Sequence, residues 1–120
     1  MEKIITIGGK NYSMKSSAYT QFKYKNDTGR RLLTDIQEIS KLQSLPDEEL
    51  INNIEGLTEV LLRIAYVMIE ESGKTATKGF DEFLKDVDNL YEDIKWINEV
   101  VELAASPLSR GIQKNKIDKQ

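Results

Sequence analysis

The chain has 120 residues and a mass of 13.7 kDa, the size of one domain with enough length for a real core. It has no Cys and no His, which removes disulfides, zinc–thiolate sites, thiol nucleophiles, and the commonest general base and metal ligand. The formal charge of −3 hides a segregation: residues 1–31 carry seven Lys/Arg against two acids, residues 32–102 six against 17, and residues 103–120 four against one.

A basic front, an acidic body and a basic tail fit separate partners, or one self-complementary fold, or simply solvated faces. Met1-Glu2-Lys3 leads into five apolar or small residues and not a long apolar leader, so no secretory signal is expected. No apolar run approaches the roughly 20 residues of a membrane span. The expectation is a soluble protein of a reducing compartment.

Lys3-Ile4-Ile5-Thr6-Ile7 is short, apolar and β-branched, as in a strand. Gly8-Gly9 supplies the positive φ of a two-residue turn. Lys10 to Lys15 then alternates, with Tyr12 and Met14 on one face. The prediction is a β-hairpin over 3–15. A lone hairpin is marginal in water, so it must pack or pair with something. Whether it pairs with another copy through its edge is left open.

Ser16-Ser17 offers N-caps for a helix over 17–28, and Gly29 fits its C-cap. Within this helix and just after it, Lys23, Lys25, Arg30 and Arg31 are interleaved with Tyr19, Phe22 and Tyr24. Such a patch suits single-stranded nucleic acid or an acidic protein surface. A sequence pI near 5.1 and the acidic body argue against nucleic acid.

A second helix over 31–43 has the stripe Leu32, Leu33, Ile36, Ile39 and Leu42. Ser44 and Asp47 are spaced as a capping box, and Pro46 is tolerated in a first turn, so a third helix is predicted over 45–55. Gly56 marks a break. The helix over 57–71 is apolar on nearly every face, as the buried centre of a bundle should be.

Residues 72–79 read as a loop. Gly73-Lys74-Thr75 ends like a phosphate-binding loop, but Met68 stands where that pattern needs Gly and the preceding segment is helical. A final helical region is predicted over 80–105, with a break conceivable near 86–89 and Pro107 as a stop. Its stripe runs through Phe83, Leu84, Val87, Leu90, Tyr91, Ile94, Ile97, Val101 and Ala104. A calcium loop from Asp86 fails, because Tyr91 and Ile97 stand where Gly and Glu are required. Trp96, the only Trp, lies beside the stripe. Trp96 and Tyr91 are either core or partner anchors. The tail over 109–120 is polar and basic and is expected to be mobile.

The predicted class is α+β and mostly α-helical: a single domain over 1–108 in which an N-terminal β-hairpin precedes a bundle of four to five helices. In order, the chain shows a strand ending in Gly8-Gly9, a second strand, an aromatic first helix closed by Gly29, and Leu32-Leu33-Thr34-Asp35-Ile36. An acidic helix opening, Ile64-Ala65-Tyr66-Val67-Met68 and Phe80-Asp81-Glu82-Phe83-Leu84 follow. Over residues 1 to about 105 this resembles the tail assembly chaperones of long-tailed bacteriophages and prophages of Gram-positive hosts.

The resemblance implies a non-enzymatic assembly factor of the host cytoplasm that is absent from the mature virion. It would bind and solubilise the tape-measure protein and help recruit tail-tube subunits. It supplies no residue-level binding motif. The candidate partner-binding residues therefore come from the sequence itself: Lys23, Lys25, Arg30, Arg31, Tyr91 and Trp96. No catalytic, cofactor-binding or metal-ligating residue is assigned. Two other readings are a nucleic-acid-binding phage regulator using the 23–31 patch and a structural tail-completion protein.

Overall fold

The computed structural model describes residues 1–108; the expected mobile tail over 109–120 lies outside the described residues. Strands β1 (Glu2–Ile7) and β2 (Lys10–Lys15) form an antiparallel hairpin with Ile7 opposite Lys10. Gly8 and Gly9 have φ of 58° and 86°, the pair of positive values that a right-twisting two-residue turn requires. The alternation puts Ile5, Ile7 and Met14 on a fully buried inner face.

Helix α1 (Ala18–Thr28) starts at Ser17, whose hydroxyl accepts from the Tyr19 N–H, while the Thr20 hydroxyl accepts from the Ser17 N–H. Gly29 closes it. Helix α2 (Leu32–Ser40) follows directly. Its buried face is Leu32, Asp35, Ile36 and Ile39; Leu33, expected on the stripe, is exposed, and an acid takes its place.

Helix α3 (Asp47–Ile54) begins later than expected, and the Ser44–Asp47 capping box does not form. Pro46 is the N-cap and no side chain caps the turn. Asp47, Glu48 and Glu49 instead place three carboxylates at the positive end of the helix dipole. A 3₁₀ turn at Glu55–Leu57 breaks the chain at Gly56, as the sequence suggested. Helix α4 (Thr58–Ser72) then buries Leu61, Leu62 and every residue from Ile64 to Ile69.

The helical region expected over 80–105 does break after Asp86, where the sequence allowed it, and forms two helices: α5 (Phe80–Asp86) and α6 (Lys95–Ala105). The intervening residues leave helical geometry at Val87, and Asn89 has a φ of 52°. The hairpin turn packs against this break. Gly8 lies against the Asp88 backbone so closely that a Cβ would overlap the Asp88 carbonyl oxygen. Lys10 Nζ donates to the Asp86 carbonyl at 2.7 Å, occupying one of the acceptors that the end of α5 leaves open.

One contiguous core unites these elements. β2 packs on α4 and β1 on α6, with α1 against α4 and α2 against α6. Tyr12, inward on β2, meets Phe83 edge-on with ring centroids 5.6 Å apart. The architecture is therefore α+β and mostly helical, with α4 at the centre.

Candidate functional site

The six candidate residues do not converge on one place. Trp96 is 1% exposed and belongs to the core, its indole N–H donating to the Leu90 carbonyl at 2.8 Å. It therefore offers no surface to a partner. Tyr91 is half-buried, and its hydroxyl shares a 2.6 Å hydrogen bond with Thr58. Both residues belong to the packing around the α5–α6 break, away from the basic patch in sequence and in role.

Lys23, Lys25, Arg30 and Arg31 divide into two pairs. Lys23 is bound to Asp27 at 2.9 Å and to Glu70 of α4 at 3.1 Å. Partial burial lowers its pKa, but these two carboxylates outweigh that and raise it. Arg30 grips Asp35 through Nε and Nη2, both at 2.8 Å. Asp35 is 4% exposed and also accepts the Tyr24 hydroxyl at 2.6 Å. Burial alone would raise the Asp35 carboxyl; Arg30 and Tyr24 more than offset it and hold the group below the usual carboxylate range. Burial and then Asp35 push the Tyr24 phenol well above its ordinary value. These two cations fix the corner between α1 and α2 and the seam between α1 and α4. Lys25 and Arg31 are exposed and have no acidic partner among the described residues.

The aromatics around them also divide. Tyr24 is buried, whereas Tyr19 and Phe22 are 59% and 64% exposed. Residues three apart on a helix share a face, and five apart they do not. Tyr19 and Phe22 thus form an outward aromatic step on α1.

Helix α1 is held by one core ring, Tyr24, and otherwise by polar contacts. Ser17 and Thr20 hydroxyls donate to the two oxygens of Glu71 at 2.7 and 2.6 Å. Helix α1 has no acid in its own first turn; Glu71, from the end of α4, brings one to the positive end of its dipole. Between α1 and α4 lies an open cleft of about 340 Å³ walled by Lys23, Asp27, Tyr66, Glu70 and Phe80. At its rim the Arg63 guanidinium lies 4.4 Å from the Phe80 ring centroid.

Elsewhere the basic front meets the acidic body. Lys3 pairs with Glu99 at 3.0 Å; in the opposite sense, Glu2 of the front pairs with Lys74 of the body at 3.0 Å. Gly73 is the α4 C-cap, so Gly73-Lys74-Thr75 follows a helix end, not a strand. Three of the seven cations of residues 1–31, Lys3, Lys23 and Arg30, thus pair with acids of the body, and the exposed pairs are worth little singly.

Sequence reasoning missed Asp35 and the outward aromatic step as distinct features. The signal for Asp35 was its spacing: it stands three after Leu32 and four before Ile39, on the apolar face of α2. An acid there must find donors or leave the core. No protein-family model, curated protein or solved structure matches the chain.

Proposed function

We propose that the chain is a non-enzymatic tail assembly chaperone: it binds and solubilises the tape-measure protein and helps recruit tail-tube subunits. It would do so in the host cytoplasm and be absent from the mature virion. The observation that carries the reading is the outward face of α1. Tyr19 and Phe22 are exposed on a helix attached by polar contacts, with Lys25 and Arg31 unpaired near them in sequence.

Aromatic residues with flanking cations suit an amphipathic helix that has an apolar stripe and acidic borders. A long helical partner repeats such a stripe many times. Several copies, each binding weakly, would then shield it along its length. The nucleic-acid reading has less to work with, since Lys23 and Arg30 are already held by carboxylates.

The test is co-expression with the cognate tape-measure protein. The soluble yield of that protein should rise with the wild-type chain and fall back with Phe22→Asp. A tape-measure protein that stays insoluble beside the wild-type chain sinks the reading. Purified particles should lack the chain; finding it there would favour the tail-completion role.

A further inference from the structure

The hairpin has an unpaired edge on β1. Met1 and Ser16 exchange both backbone hydrogen bonds, at 2.6 and 2.7 Å, so they are a bonded pair of the ladder. Bonded and non-bonded pairs alternate along an antiparallel ribbon. With the observed register, Lys3·Met14, Ile5·Tyr12 and Ile7·Lys10 are therefore the other bonded pairs. Glu2, Ile4 and Thr6 direct their N–H and C=O groups away from β2. None of those backbone groups has a hydrogen-bond partner among the described residues. Ile4, in the middle of this edge, is 66% exposed.

Edge strands are usually blunted by proline, a bulge, extreme shortness or an inward-pointing charge. β1 has six residues, no proline and an unbroken register. Its two charges, Glu2 and the inward Lys3, are engaged by Lys74 and by Glu99 of α6. The other edge, on β2, presents only Asn11, Ser13 and Lys15 on the corresponding positions.

We infer that the β1 edge pairs with the β1 edge of a second copy of this chain, antiparallel and centred on Ile4. The sequence selects that register. Bonded pairing requires even-numbered residues opposite even-numbered ones. Centring on Ile4 sets Ile4 against Ile4 of the second copy and Glu2 against Thr6 on both sides, with no like charges opposed. Centring on Lys3 would set two lysines against each other, which is destabilising. Centring on Ile5 would draw in Gly8, whose turn is already seated on Asp88. The Ile4 register is self-complementary, as a twofold interface must be. It forms about six backbone hydrogen bonds and joins two two-stranded ribbons into one four-stranded sheet. This inference does not depend on the tape-measure reading; it would give a particle with two α1 faces.

The experiment uses the full chain. Light scattering from about 10 μM to about 1 mM should show the mass rising toward twice that of one chain. Over the same range, exchange of the Ile4 and Thr6 amides should slow by at least about tenfold, because only pairing protects them. Ile4→Pro removes an outward N–H without touching the β1–β2 ladder, and Ile4→Lys opposes two charges at the centre. Both variants should remain monomeric, with Ile5 and Ile7 amides still protected. Should the proline variant not fold, the lysine variant and the wild-type exchange decide. A wild-type chain that is monomeric throughout overturns the inference. So does a dimer whose Ile4 and Thr6 amides exchange freely, or one that persists in the folded variants.

Discussion

Helices α1 and α4 lie side by side and are held by different forces. α4 buries eight of its fifteen residues, all of them apolar or aromatic. α1 buries two of eleven, Thr20 and Tyr24, and both reach the rest of the molecule through hydroxyl hydrogen bonds. Its other attachments are the Ser17 hydroxyl on Glu71 and the Lys23 ion pair with Glu70. The apolar side chains of α4 are consumed by folding. Of the three rings of α1 only Tyr24 joins the core; Tyr19 and Phe22 are left over. The difference separates residues selected for the fold from residues whose exposure calls for another explanation.

Ile64→Ala in α4 should lower stability by about 2–5 kcal/mol, since it empties a fully buried site at the centre of the bundle. Urea unfolding would show a lower midpoint at an unchanged slope. A loss under about 1 kcal/mol would mean that α4 is not the packing centre and that the contrast with α1 is overstated.

The fold was legible where a local signal sufficed. Gly8-Gly9 between alternating segments gave the hairpin, Ser17 and Gly29 bounded α1, and the all-round apolarity of residues 57–69 marked the central helix. What stayed hidden depended on which side chains and backbone groups meet in space. A break near 86–89 was legible; its length, up to Lys95, and its contact with the hairpin turn through Gly8 on Asp88 and Lys10 on Asp86 were not. Leu33 leaves the expected stripe and Asp35 is buried, its carboxylate satisfied by Arg30 and Tyr24.

The candidate site follows the same rule. Lys25 and Arg31 remained exposed as read, but Lys23 was claimed by Glu70, and composition does not disclose such a pairing. Trp96 lay beside the apolar stripe of the last helix, and the true buried face simply includes it. The separation of Tyr24 from Tyr19 and Phe22 was in principle readable from helical spacing.

A smaller effect tests the polar half of the comparison. Asp35→Asn keeps the shape but loses the charge that binds Arg30 and Tyr24, and should cost about 1–3 kcal/mol near pH 7. The sign of its pH dependence is fixed. The Asp35 carboxyl is held below its ordinary range in the folded chain, so the unfolded state binds its proton first on acidification. Its contribution is complete above the unfolded value near 4 and disappears as pH falls through the lower folded value. The gap between wild type and Asp35→Asn should therefore close below about pH 4. Urea midpoints at several pH values would measure it. A gap that stays constant into acid would show that the amide disturbs packing and that the charge is irrelevant.

The smallest expected effect on stability carries the most functional weight. Tyr19→Ala and Phe22→Ala remove exposed rings, so each should change stability by no more than about 0.5 kcal/mol. If the outward step of α1 is a docking face, the same substitutions should weaken partner binding by about tenfold or more, as truncated aromatic anchors do. Stability and binding thus move oppositely on the two helices: Ile64→Ala should destabilise the fold without touching the contact face, and Phe22→Ala should do the reverse. Paired measurements of urea midpoint and tape-measure affinity on the same preparations separate the cases. If Tyr19→Ala or Phe22→Ala proves strongly destabilising, these rings belong to the fold after all. If both are neutral in stability and in binding, α1 is a solvated helix with two idle aromatics, and the partner face must be sought elsewhere.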